Sequence, residues 1–181
     1  MLKDFKKVAD IPQDVIDKYQ DQVPTELLQI WQEDGLGTFL NGYLKVINPD
    51  DYLEFIQETY FRGKFSIPIF VTAFGDVITV EEKKYLGFVK YKNGDFDIFT
   101  ENLEFFLEDL PDKEFQDDYF ELPLYQEAVE KHGELDYTQC FGFVPLLALG
   151  GFKDVDHLDK VKILEHLYLI SELVGGIGMD K

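Results

Sequence analysis

The stretch Pro24-Thr25-Glu26-Leu27-Leu28-Gln29-Ile30-Trp31-Gln32-Glu33-Asp34-Gly35-Leu36-Gly37-Thr38-Phe39-Leu40-Asn41-Gly42-Tyr43-Leu44-Lys45-Val46-Ile47-Asn48-Pro49 decides how the rest of the chain is read. Pro24 can open a helix because its missing N–H is among the donors that a first helical turn leaves unpaired. Leu27, Leu28, Ile30 and Trp31 give that helix an apolar face. Gly35 then stops it: a glycine just past the last helical residue takes the left-handed conformation at little steric cost, and Gly37 reads as the tight return. Phe39, Tyr43 and Val46 alternate imperfectly with polar positions, so the chain comes back as a strand. Gly42 reads as a bulge or a close approach within it, and Asn48-Pro49 as its end.

Working outward, Pro12 starts a short helix carrying Val15, Ile16 and Tyr19, with Asp10 or Asp14 near its positive end. On the other side, Asn48 is the expected N-cap of a helix through Tyr52, Phe55 and Ile56, with Asp50 and Asp51 in its first turn, and Arg62-Gly63-Lys64 is a linker. The run from Ile67 to Phe74 is apolar almost throughout and suits a central strand covered on both faces. Gly75-Asp76 turns it into Val77-Ile78-Thr79-Val80. Residues 85–91 and 95–99 flank Asn93-Gly94, which predicts a hairpin with a type I′ turn. Helical spacing returns at Leu103, Phe106 and Leu107 before Pro111, and again at Leu124, Ala128 and Val129 between Pro123 and Gly133. Residues 137–149 read as strand or buried loop. A last helix is expected over 158–174, with two apolar faces that imply burial on two sides, ending at Gly175-Gly176. The pattern predicts an α+β fold: a largely antiparallel sheet flanked by helices, in a single compact unit.

Composition agrees with a globular chain. Hydrophobic residues make up 45% of 181, and 17 Phe, 10 Tyr and 1 Trp supply large side chains for one sizeable core. The 17 basic against 36 acidic side chains give a formal net charge of −19. Such a charge repels nucleic acid and anionic membranes and attracts basic proteins, so no direct nucleic-acid and no membrane partner is expected. The first residues lack the apolar run of a secretory signal, and the longest apolar stretches fall short of the roughly 18 residues of a membrane span, which points to the cytoplasm. The lone Cys140, in an apolar segment, reads as a small core residue.

Several motifs together resemble a known family. Trp31, Glu33-Asp34-Gly35-Leu36-Gly37, Asn41-Gly42-Tyr43 and Val46-Ile47-Asn48-Pro49 followed by Asp51-Tyr52 are similar to the GAD-like domain of bacterial toxin-immunity proteins. Thr72-Ala73-Phe74-Gly75-Asp76 and Phe141-Gly142-Phe143-Val144-Pro145 with Gly150-Gly151 resemble the C-terminal half of immunity proteins that protect type VI secretion bacteria from their own DNase effectors. The resemblance spans roughly residues 5–174 and divides the chain into a GAD-like half, 1–104, and an immunity-type half, 105–181, packed as one fold. It brings no catalytic motif.

The remaining candidates are weighed by chemistry. His132, His157 and His166 lie far apart and lack recognisable partners, so no enzyme is expected. Asp154, Asp156, His157 and Asp159 carry metal-ligand chemistry, but acids there fit the start of the following helix better; no metal and no cofactor is expected. Gly35-Leu36-Gly37 and Gly150-Gly151-Phe152 lack the Lys-Ser/Thr of a phosphate loop and read as turns. In Thr72–Asp76 the expected structure is a buried strand ending in a tight turn, with Asp76 bonded to local backbone.

The densest acidic run, Glu104 to Glu121, is the candidate partner-binding site: Asp109, Asp112, Glu114, Asp117 and Asp118, with Tyr119. A charge run is commonly just a solvated face. Here Phe106, Phe115, Tyr119, Phe120 and Tyr125 interleave with the acids, which suggests aromatic anchors of an interface. Asp10, Asp14, Asp17, Asp21, Glu33 and Asp34 form a competing acidic surface. The resemblance implies an immunity protein that binds and blocks a cognate basic protein toxin, a nuclease, through an acidic surface. The competing readings are a regulatory module for a small ligand or an endogenous protein, favoured by a deep pocket at the Thr72–Asp76 turn and the Gly150-Gly151 loop, and a hydrolase without recognisable motifs.

Overall fold

A computed structural model describes residues 2–179. Its main sheet is antiparallel throughout and runs in sequence order: β1 (Lys6–Ala9), β2 (Leu36–Phe39), β3 (Leu44–Val46), β4 (Ser66–Thr72), β5 (Val77–Glu81), β6 (Tyr85–Lys90) and β7 (Asp95–Thr100). Helices α1 (Gln13–Tyr19) and α2 (Thr25–Glu33) interrupt the order between β1 and β2, and α3 (Pro49–Thr59) does so between β3 and β4. After β7 come α4 (Leu103–Asp109), α5 (Lys113–Tyr119) and α6 (Leu122–His132). A separate hairpin, β8 (Gln139–Phe143) with β9 (Leu158–Lys162), precedes α7 (Ile163–Val174).

Neighbouring residues of the central strands point to opposite faces, and each face has its own core. Phe70, Ile78 and Phe88 join Leu27, Trp31, Leu103, Phe106 and Ala128 on the side covered by α1, α2, α4 and α6. Val71, Val77 and Val89 join Phe55, Ile56, Leu167 and Ile170 on the side covered by α3 and α7. The two-sided burial expected of residues 67–74 follows from this layering. Helix starts behave as their sequences dictate: the Asn48 side chain accepts the Asp50 N–H at 3.0 Å, and Asn102 accepts that of Phe105 at 2.8 Å.

Five local expectations are corrected. Residues 39–46 are not one strand but a hairpin, because Leu40, Asn41 and Gly42 all have positive φ (52°, 53° and 87°) and reverse the chain. The Asp4 carboxylate accepts the Leu40 and Asn41 amides at 3.2 and 2.6 Å, which stabilises a turn whose positive φ suits Asn41 and Gly42 but not Leu40. Gly37 is not a turn but a strand residue, where a Cβ would lie 2.3 Å from the Lys6 carbonyl oxygen. Only Gly94 is left-handed at the β6–β7 connection. Residues 91–93 form a 3-10 turn because Tyr91 is buried and bonded to Thr59, so the turn is not type I′. Residues 158–162 pair with β8, so the last helix starts only at Ile163. That helix is buried on one side: Tyr168, Leu169 and Leu173 are exposed.

Candidate functional site

The acidic run folds into two short consecutive helices. In α4, Leu103 and Phe106 turn inward while Glu104, Glu108 and Asp109 face solvent. In α5, Asp112 caps the helix by accepting the Phe115 N–H at 3.0 Å, and Glu114, Asp117 and Asp118 are exposed. The structure thus places Asp109, Asp112, Glu114, Asp117 and Asp118 on the outer surface of adjoining helices. Asp117 is engaged by Lys113 one turn earlier, an exposed pair that leaves the surface strongly negative.

The aromatic side chains pack mainly inward. Phe106, Phe120 and Tyr125 are core residues; Phe115 and Tyr119 are half-buried, their ring centroids 6.1 and 5.1 Å from that of Phe99 on β7. Two short helices offer the sheet only a few contact positions, and the rings occupy them. The exposed aromatic here is Phe105, 46% exposed between the α4 acids, which helical spacing alone distinguishes from its buried neighbour Phe106. On the competing surface Asp10, Asp14, Asp17, Asp21 and Glu33 are exposed, but Asp34 is buried and accepts the Leu2 N–H at 2.8 Å.

Two clefts lie where the N-terminal segments meet the helices after β7. The larger, about 690 Å³, has an apolar lining of Leu2, Ile30, Leu40, Leu107, Leu110 and Pro111. The smaller, about 310 Å³, runs between Lys6 and Thr38 on one side and α6 on the other. Asn41 lines both, and its carbonyl accepts the Tyr125 hydroxyl at 2.9 Å.

A chain of charges crosses the same boundary in the interior. Asp76 is fully buried and pairs with Lys92, which lies 3.4 Å from Glu121; Glu121 also pairs with Lys153 near the surface. Burial opposes the Lys92 charge, but Asp76 and Glu121 outweigh it and hold the ammonium above its ordinary range. The carboxylate of Asp76 therefore serves this distant lysine rather than its own turn, where the Thr72 hydroxyl instead accepts the Phe74 and Asp76 amides. Lys45, also buried, has no hydrogen-bond partner on its amine, and burial pushes its pKa down to about 8.

The three histidines stand apart from one another, each in its own surroundings. His157 bonds Asp154, which caps a 3-10 turn rather than a helix; His132 bonds the Val155 carbonyl; His166 is buried, which lowers its pKa. Among the described residues no group of three or more His, Cys, Asp or Glu side chains is placed to hold a metal. Burial pushes the Cys140 thiol up to about 12, as an unreactive core thiol requires.

Fold and surface define the class: an α+β protein with a two-sided antiparallel sheet and an acidic helical face. Residues 1–88 match the model of the GAD-like domain family, and residues 100–174 match that described as T6SS immunity protein Tdi1, C-terminal. The chain thus resembles GAD-like proteins in its first half and type VI secretion immunity proteins in its second. Among solved structures, the crystal structure of Atu4351 from Agrobacterium tumefaciens shares the fold with a TM-score of 0.78 at 17% identity, over 93% of this chain and 85% of that one. No curated protein sequence matches.

Proposed function

We propose that the protein is a non-enzymatic immunity protein that binds a cognate antibacterial toxin in the cytoplasm and blocks it stoichiometrically. The observation that carries this reading is the match of residues 100–174 to the type VI immunity family, a stretch that contains both acidic helices. A nuclease must present a basic groove to phosphates, so an acidic helical face is complementary to it and speeds encounter by about 10- to 10³-fold at low salt. Phe105 supplies an exposed aromatic ring in the middle of that face. Noncognate toxins would leave charges unpaired, which gives specificity.

The small-ligand alternative called for a deep pocket at the Thr72–Asp76 turn and the Gly150-Gly151 loop. The cavity that residues 146–148 do line measures about 10 Å³, enough for about one water. The test of the immunity reading is rescue: the toxin-like gene adjacent to this one is expressed with and without this protein, and survival and co-purification are followed. Rescue with a stable complex is expected; killing that continues without a complex would overturn it.

A further inference from the structure

We infer that the larger cleft, at the boundary between the N-terminal segments and α4–α5, is the toxin-docking site and takes an apolar side chain flanked by arginine or lysine. This rests on the immunity reading and makes it specific. Of the aromatics interleaved with the acids, Phe106, Phe120 and Tyr125 are buried and Phe115 and Tyr119 half-buried, which leaves Phe105 as the exposed ring, so the partner supplies most of the apolar anchoring at this face. A concave apolar surface beside the acids is what such an anchor needs. At about 690 Å³ the cleft has the size of a binding site rather than of a packing defect.

Its chemistry names the occupant. The floor is Ile30, Leu40, Leu107 and Leu110. The rim carries Asp4 and Glu26, and Asp109 and Asp112 lie immediately either side of the lining residues Leu110 and Pro111; Lys3 is the cation lining the cleft. Two lining carboxylates against one ammonium, with Asp109 and Asp112 next in the chain, set an apolar floor in negative surroundings that disfavour an acidic guest. They favour a side chain such as leucine or phenylalanine with guanidinium or ammonium groups beside it. The cleft is continuous with the acidic face, so long-range steering and short-range seating act on the same partner surface.

One wall is held in place before any partner arrives. Leu40 and Asn41 adopt positive φ, and two clamps hold them there: the Asp4 carboxylate on their amides and the Tyr125 hydroxyl on the Asn41 carbonyl. A wall fixed in advance does not have to be ordered on binding, which lowers the entropy lost on association.

The test uses the full-length protein and the toxin domain encoded by the adjacent gene, with its catalytic residue replaced. Gln29 is exposed and lines the cleft, so Gln29→Trp places an indole in the space that the guest would fill. Q29W should weaken binding at least about ten-fold, chiefly through faster dissociation, while Leu173→Ser on the exposed side of α7 leaves it unchanged. Hydrogen exchange on the wild-type chain gives a readout that no variant's folding can confound: protection should appear at residues 26–30, 38–41 and 107–116 when toxin is added. Unchanged affinity of Q29W, or protection confined to other surfaces, overturns the cleft and leaves the immunity reading standing. No binding by the wild type removes the immunity reading, and the cleft proposal with it. A self-association of this chain that Q29W abolishes would assign the cleft to a second copy and overturn the proposal.

Discussion

The hydroxyl of Tyr125 on α6 donates to the backbone carbonyl of Asn41 at 2.9 Å, tying together two segments 84 residues apart in the chain. The contact sits on an aromatic cluster in which the Tyr43 ring meets both Phe120 and Tyr125, and the hydroxyl of Tyr43 accepts the Glu121 N–H. The segments that match the two family models, 1–88 and 100–174, share these buried rings, so we expect them to unfold together. Tyr125→Phe should cost about 0.5–1.5 kcal/mol. Trp31, the chain's single tryptophan, lies in the first half, so its fluorescence reports that half alone. Its midpoint in Y125F should move with that of the circular dichroism signal; a Trp31 midpoint that stays put while the other moves would show that the halves unfold separately.

Lys92 makes a second link across the boundary, and its loss should be felt mainly through Asp76. Lys92→Met leaves a fully buried carboxylate without its ammonium, while Glu121 keeps Lys153; breaking a buried pair in this way costs about 3–5 kcal/mol. The pH dependence has a definite sign. Burial already raises the Asp76 carboxyl against the pull of Lys92, and without the ammonium it rises further. A carboxyl that holds its proton more tightly when folded favours folding at low pH and loses that contribution as pH rises through its folded pKa. The difference in stability between K92M and wild type should therefore be smaller near about pH 5 than near about pH 8, measured by urea denaturation.

Lys45 should behave in the opposite way to a stabilising residue. Its amine is buried without a partner, and burial lowers its pKa from the ordinary 10.5 to about 8. Lys45→Met keeps a similar shape and removes the buried charge, so at neutral pH it should stabilise the protein by on the order of 2–3 kcal/mol. Between about pH 8 and pH 10 the unfolded chain keeps the Lys45 proton that the folded chain has released. Wild-type stability then rises with pH relative to K45M, and the gap between them should close. A gap that stays constant across that window would mean the folded amine is not deprotonating there.

What the sequence discloses depends on how local the cause is. Central strands, the Asn48 cap and the Gly35 stop were legible because Asn48 and Gly35 act on their own neighbours, and the apolar run from Ile67 to Phe74 shows two buried faces in the residues themselves. The Leu40–Gly42 reversal carries the Asn-Gly signal of a hairpin at Asn41-Gly42, but the apolar positions on both sides read as one continuous strand; Asp4, far away in the chain, then fixes the turn. Residues 158–162 look helical until β8 offers them a pairing partner. The acids of the candidate surface were legible from composition alone. The roles of Phe105 and Phe106 exchange because one helical position separates outward from inward, and the cleft exists only where residues 2–4, 26–41 and 107–116 meet.

Asp117 and Asp118 separate steering from seating. Both are exposed on α5, and among the described residues the side-chain pair they give up is the surface one of Asp117 with Lys113, so Asp117→Lys with Asp118→Lys should leave thermal stability nearly unchanged. The double reversal changes the charge of the acidic face from negative toward positive while the cleft beside it stays intact. Association with the catalytically silenced toxin should slow by about ten-fold or more at low ionic strength, with a much smaller change in dissociation. Raising the salt shortens the screening length to about 8 Å at physiological ionic strength, so the two association rates should converge there. Stopped-flow association measured across a salt series decides the matter. Equal rates for both proteins at every salt concentration would take α5 out of the encounter surface and move attention to the acids of α1 and α2.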